Sequence, residues 1–239
     1  MLNHTALLLG GTSIPRVQGE FFLCTSGDAP ITVKSLLLVN GGLRINPVQK
    51  GLSGLVAIGN QGLYGAFTGC TGLTGPVSFP ALTSIGYQGL YGAFNGCTGL
   101  TGSVSFPVLT SIGNYGLYMA FFLCRGMAGS VSFPALTTVG EHGLDSALKY
   151  CSGLTGSVSF PKLEAIGNQG LYYAFSGCTG LTGSVSFPAL TSIGNQGLYY
   201  AFSGCTGLTE IHFKASLSGN SQCTAANMRC TNATVYFDL

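Results

Sequence analysis

The chain has 239 residues, of which 46% are hydrophobic, 7% are charged and 38 are Gly, with a formal net charge of +2. Ordinary soluble domains carry roughly 25% charged residues and about 7% Gly, so the composition excludes a disordered chain and a generic globular enzyme. The nine Lys and Arg form no basic run, which excludes nucleic acid as a natural partner; apolar stretches such as 35–39 fall far short of the roughly 20 residues of a membrane helix, so no membrane insertion is expected.

Residues 1–51 lie outside any repeat. Their first apolar run has no Lys or Arg ahead of it, so no cleavable signal peptide is expected. Strand-like stretches at 17–24 and 31–39 mark a β-rich cap or anchoring segment, longer than a cap requires and therefore a candidate for homo-oligomerisation.

From residue 52 the chain repeats. Cys70, Cys97, Cys124, Cys151, Cys178 and Cys205 are 27 residues apart, and Pro80, Pro107, Pro134, Pro161 and Pro188 keep the same step. In the unit that starts at Leu181, Val185 and Phe187 alternate with Ser184 and Ser186, the period of a strand with one buried face, and Pro188 ends it. Leu190 and Ile193 turn a second short segment inward. Leu198, Ala201, Phe202 and Cys205 then fall at i, i+3, i+4 and i+7, the spacing of a helical face, with Gly204 or Gly207 closing the turn. The expected fold is a repeat β-solenoid of leucine-rich-repeat type. About six coils over 52–213 would set a parallel sheet on one side and short helical turns on the other, with a C-terminal cap at 214–239 and strand-like stretches at 210–214 and 234–237.

The run Leu-Thr-Ser-Ile-Gly followed by Tyr-Ala-Phe-Ser-Gly-Cys-Thr-Gly-Leu-Thr resembles the BspA-like leucine-rich repeats over about residues 52–213. Extra residues around Asn-Gln-Gly-Leu-Tyr lengthen the unit beyond the commoner form. The resemblance implies a surface protein, adhesin or phage-encoded protein. Its location would be a bacterial cell surface or a virion, and its partners a protein or glycan on a cell surface, copies of itself or other virion proteins.

No catalytic residues, metal or cofactor are expected. The cysteines lack the short pairs of zinc sites, and Cys70, Cys97, Cys124, Cys151, Cys178 and Cys205 read as a buried structural file; Cys223 and Cys230 lie off it and are candidates for pairing, and Cys24 is unassigned. His142, Asp145 and Cys151 come nearest to a nucleophilic cluster, but Cys151 belongs to the inward file while His142 takes an outward place.

A partner surface is sought where units differ. Outward positions read Gln61/Gly65/Thr68, Gln88/Gly92/Asn95, Tyr115/Met119/Phe122, His142/Ser146/Lys149, Gln169/Tyr173/Ser176 and Gln196/Tyr200/Ser203, and the turn after the third unit becomes Arg125-Gly-Met127-Ala. Tyr115, Met119, Phe122, Arg125, Met127, His142, Lys149, Tyr150, Tyr173 and Tyr200 are therefore the candidate binding residues, because aromatic, Met and Arg side chains are enriched in interface cores.

Overall fold

The computed structural model describes residues 55–239 throughout and, before them, the backbone of 16–23, 31–39 and 42–44. Those three segments are strands β1 (Arg16–Leu23), β2 (Ile31–Val39) and β3 (Gly42–Arg44), paired antiparallel in the order β1-β2-β3. Cys24 and the side chains on which an anchoring role of 1–51 would rest lie outside the described residues.

The repeat builds three ladders side by side. Two-residue strands β4 (Ala57–Ile58), β6 (Ser84–Ile85), β8 (Ser111–Ile112), β10 (Thr138–Val139), β12 (Ala165–Ile166) and β14 (Ser192–Ile193) stack in parallel. Longer strands β5 (Gly75–Ser78), β7 (Leu100–Ser105), β9 (Met127–Ser132), β11 (Gly156–Ser159), β13 (Leu181–Phe187), β15 (Gly207–Phe213) and β16 (Thr234–Phe237) form a seven-stranded sheet in which every described pairing is parallel. Because register is set coil to coil, Val77, Val104, Val131, Val158, Val185, Ile211 and Val235 form one file. Inside, Phe79, Phe106, Phe133, Phe160, Phe187 and Phe213 stack with ring centres 5.2–5.6 Å apart. Such pairs contribute about 0.5–1.5 kcal/mol each beyond the area they bury. The serines of the sheet, such as Ser130, Ser157 and Ser184, face outward as their alternation requires.

The third ladder corrects an expectation, because the short helical turns are not helices. In coil two the N–H groups of Gln88, Leu90, Gly92, Phe94 and Gly96 donate to Asn114, Gly116, Tyr118, Ala120 and Phe122 O of the next coil at 2.7–3.0 Å. The residues between, Gly89, Tyr91, Ala93, Asn95 and Cys97, donate to the carbonyl three residues back at 3.1–3.2 Å. The segment is thus a ribbon of consecutive β-turns in which alternate amides serve the coil and its neighbour. Every fourth residue is left-handed: Gln88 (φ 53), Gly92 (φ 56) and Gly96 (φ 72) in coil two. An α-helix would spend its amides internally and leave neighbouring coils without a hydrogen-bonded seam here. The inward set is nonetheless the expected one, since Leu198, Ala201, Phe202 and Cys205 are all buried. A spacing of i, i+3, i+4 and i+7 satisfies a period of 4.0 as well as one of 3.6 over so short a run.

The stack runs one turn further than the six coils expected. Residues after Phe213 form a degenerate coil that returns as β16, parallel to β15 with Glu210 opposite Thr234. Its path includes the four-residue helix α1 (Ala225–Met228), whose first turn is capped by Thr224 Oγ1 accepting from Asn227 N. Tyr200 and Phe202 N–H donate to Asn227 and Met228 O, so this coil also closes the turn ribbon. Cys223 and Cys230, considered for pairing, are separate buried thiols.

At the opposite end of the described sheet, Phe79 N–H donates to Ser105 O at 3.0 Å. Alternate residues of β5 therefore turn their backbone away from β7, and Pro76 holds such a place where later coils carry Ser103, Ser130, Ser157 and Ser184. A proline there removes the donor that an added strand would need.

Candidate docking face

The turn ribbon carries columns of outward side chains, one residue per coil. The first reads Gln61, Gln88, Tyr115, His142, Gln169, Gln196. Its glutamines bond tier to tier, Gln61 Nε2 to Gln88 Oε1 at 2.9 Å and Gln169 Nε2 to Gln196 Oε1 at 2.7 Å. In coils three and four the amides give way to rings, and Tyr115 stacks on His142 with centres 4.6 Å apart. A second column, not recognised from the sequence, reads Tyr64, Tyr91, Tyr118, Asp145, Tyr172, Tyr199. Its rings stack at 4.6 Å (Tyr64 with Tyr91), 4.6 Å (Tyr91 with Tyr118) and 5.4 Å (Tyr172 with Tyr199). Asp145 interrupts it.

That carboxylate is 6% exposed. Its Oδ2 accepts from His142 Nδ1 at 2.7 Å and its Oδ1 from Ser146 Oγ at 2.8 Å. Burial raises the Asp145 pKa above the usual value, an effect only partly offset by the hydrogen bonds from His142 and Ser146.

The left-handed positions separate the coils most sharply. Coils one and two place Gln, Gly and Gly there: Gln61, Gly65, Gly69 and Gln88, Gly92, Gly96. Coil three places Tyr115 (φ 56), Met119 (φ 49) and Leu123 (φ 61), and coil four His142 (φ 51), Ser146 (φ 52) and Tyr150 (φ 63). An L-residue in this region costs on the order of 1–2 kcal/mol that Gly avoids. The third member of each set lies one residue beyond the position chosen from the sequence, so Leu123 and Tyr150, rather than Phe122 and Lys149, hold it. A four-residue repeat predicts that; a helical one does not.

The structure gathers most of the candidate residues. Phe122 meets Tyr150 edge to face at 5.7 Å, and the Lys149 ammonium lies 4.0 Å from the centre of the Tyr173 ring. Tyr150 is 43% exposed and lies across Gly177 of the next coil, where a Cβ would come within 2.5 Å of its ring. Met119 is half-buried and Arg125 exposed in the turn beyond the ribbon. Tyr200 sits at the far end, tied to the cap through Arg229 Nη2 donating to its hydroxyl at 2.9 Å. Met127 is a correction: at 1% exposure it fills the inward position held in sister coils by Leu100 and Leu154, and it belongs to no outer surface.

Inward, each thiol of the cysteine file from Cys97 to Cys205 donates to a main-chain carbonyl. Cys97, Cys124, Cys151, Cys178 and Cys205 Sγ donate to the carbonyls of Phe67, Phe94, Phe121, Leu148 and Phe175 in the preceding coil at 2.9–3.1 Å. Burial pushes the Cys124 and Cys205 thiols up to about 12 and the Cys151 thiol well above its usual value. Cys151 thus faces the core while His142 faces Asp145, and no nucleophile and base are brought together there.

Residues 144–235 match the family described as BspA type Leucine rich repeat region, in six copies. No curated protein matches the chain. Similar solved structures include the T. pallidum Leucine Rich Repeat protein, at 22% identity and a TM-score of 0.42 over 79% of this chain and 81% of that one. A leucine-rich repeat protein from Bacteroides ovatus ATCC 8483 is 18% identical with a TM-score of 0.29 over 82% of this chain and 65% of that one. A leucine rich cell surface protein from Faecalibacterium prausnitzii A2-165 is also 18% identical, with a TM-score of 0.30 over 82% and 73%. The matched residues begin within coil four and run into the last coil, so this part of the solenoid is built of BspA-type leucine-rich repeats, and the earlier coils continue the same 27-residue unit in the same ladders.

Proposed function

We propose that the protein is a non-enzymatic recognition module whose partner docks on the turn-ribbon face of coils three to five, displayed on a bacterial cell surface or a virion. One observation carries this reading: Met119, Leu123 and Tyr150 stand at left-handed positions where coils one and two have Gly. Unselected drift at such positions favours Gly, because each replacement strains the backbone by about 1 kcal/mol or more. Large side chains held there against that strain are those a contact would select. BspA-type repeats are usually surface-associated, which agrees with display, and among the described residues no helix is long and apolar enough to cross a membrane.

The test uses the protein with Met119, Leu123 and Tyr150 all replaced by Gly. Beads coated with the unaltered protein should adhere to cells in a panel of bacteria, and the triple variant should lose that adhesion at least tenfold while melting no lower. Undiminished adhesion of the variant would remove this face from consideration. The second reading, a structural component of a virion appendage or filament, is served by the open edge of β16, but Pro76 at the other described edge opposes growth of a fibre strand by strand.

A further inference from the structure

We propose that the tier of the tyrosine column occupied by Asp145 is a binding slot for the guanidinium group of an arginine side chain presented by the partner. The proposal rests on the docking reading above and names the chemistry of its central contact.

Three features of the slot converge on that group. The column stacks rings at 4.6–5.4 Å per tier, and between Tyr118 and Tyr172 one tier carries a carboxylate in place of a ring. Two tiers of a β-type stack span about 9.6 Å, so a planar group between Tyr118 and Tyr172 would lie about as far from each ring as neighbouring tyrosines lie from one another. At the root of the tier, Oδ1 and Oδ2 of Asp145 each accept one hydrogen bond, from Ser146 and His142. A carboxylate offers about four acceptor sites, so one remains on each oxygen, the pattern that the parallel N–H pair of an arginine fork fills.

The same face already uses cations against tyrosine faces. Arg229 places its guanidinium carbon 4.7 Å from the centre of the Tyr200 ring, and Lys149 its ammonium 4.0 Å from that of Tyr173. At the Asp145 tier two aromatic faces and a shielded carboxylate coincide. A planar cation lies flat against both faces and forks onto the carboxylate, whereas a lysine ammonium meets a ring and the charge only as a compact point donor and a neutral ring cannot meet the charge.

The test titrates N-acetyl-arginine amide into the full-length protein and follows the aromatic 13C signals of Tyr118, Tyr172 and His142, with N-acetyl-lysine amide, N-acetyl-tyrosine amide and methyl glucoside as comparison probes. Saturable shifts confined to these rings are expected for the arginine probe, at least five times tighter than for any other. Asp145→Tyr, which restores the residue of the sister coils, should abolish the response, and Asp145→Asn, which keeps the shape and removes the charge, should weaken it at least tenfold. Equal binding of the lysine, tyrosine or sugar probe, no saturable shift with the arginine probe, or full binding by Asp145→Tyr would each overturn the proposal. Asp145→Asn serves as the measure if Asp145→Tyr does not fold. The triple Gly variant leaves this tier in place. Lost adhesion without arginine binding therefore rejects the slot alone, and arginine binding with undiminished adhesion rejects only the apolar docking face.

Discussion

Coil two and coil four share a backbone path, a hydrogen-bond ladder, an inward cysteine and the same sheet strand, yet along the turn ribbon they differ at Gln88/His142, Tyr91/Asp145, Gly92/Ser146, Phe94/Leu148, Asn95/Lys149 and Gly96/Tyr150. Coil two has a stacked Tyr91, a stacked Phe94 and two glycines at left-handed positions. Coil four puts Asp145 in the tyrosine column, Leu148 in the phenylalanine column and Ser146 and Tyr150 where glycine belongs. Each of these departures carries a physical cost: a desolvated carboxylate, a broken ring stack and a strained φ. A repeat array tolerates a weak coil because its neighbours supply most of that coil's interfaces. The difference teaches that a solenoid can concentrate residues that serve stability least in one coil without losing its ladders, which is the feature the proposed docking face relies on.

The largest effect expected is in the core of the well-built coil. Phe94→Ala removes a ring stacked on Phe67 at 5.0 Å and on Phe121 at 5.1 Å and should cost about 3–5 kcal/mol in denaturant unfolding. A loss below about 1 kcal/mol would mean that the ring column is not a close-packed spine, and the contrast with Leu148 in coil four would lose its meaning.

Smaller effects should follow at the thiols, where the two coils are alike. A buried serine hydroxyl without a partner would cost about 1–3 kcal/mol. The structure provides one in Phe67 O for Cys97 and in Phe121 O for Cys151, so Cys97→Ser and Cys151→Ser should each cost only about 1 kcal/mol. Maleimide should label neither thiol until the protein is unfolded; fast labelling of Cys151 alone would reveal coil four opening independently.

Strain can be transplanted to sharpen the comparison further. A Cβ at Gly92 would meet nothing within 4 Å, so Gly92→Met isolates the backbone penalty and should destabilise by about 1 kcal/mol. The reverse change in the next coil, Met119→Gly, should leave stability equal or raise it by up to about 1 kcal/mol. If Gly92→Met were free of cost in thermal melts, the argument that selection holds Met119 in place would fail.

The smallest effects are those of pH. In the C-terminal cap His212 Nδ1 faces Asp238 at 2.9 Å, and Nε2 faces Glu210 at 3.2 Å. The hydrogen bond to Asp238, helped by Glu210 and opposed by burial, raises the imidazole pKa. Its contribution is fully present below the ordinary value of about 6.5 and is lost as pH rises through the raised one. Because both carboxylates are well exposed, solvent screening keeps the effect small. Asp145 has the same sign in an acidic window: its raised carboxyl pKa makes stability fall as pH climbs from the ordinary carboxyl value of 3.8 through the raised one. Melting temperatures taken across both windows should therefore show two declines, of which Asp145→Tyr abolishes the acidic one and His212→Gln the neutral one. A flat acidic limb would mean that coil four carries no electrostatic cost.

The step of 27, the alternation of Val185 and Phe187 with serines, and the inward cysteine file were enough to determine coil number to within one, the parallel sheet and the buried thiols from Cys97 to Cys205, whereas Cys70, in the first described coil, is only half-buried. The reason is that each rests on burial repeated in register, and six copies of a pattern average out local ambiguity. The conformation of the third side was not determined, because a period of 3.6 and one of 4.0 place the same four residues inward over eight positions. Only the pairing of Leu90 and Phe94 amides with the next coil selects the turn ribbon, and that pairing is a property of two coils at once. The same limit applies at the proposed docking face. Divergence marked Tyr115, Met119 and Tyr150 in the sequence, but the displacement of Met127 into the core, the strain at Leu123 and the meaning of Asp145 as a missing ring depend on which residues stand above and below, and stacking decides that after the chain has folded.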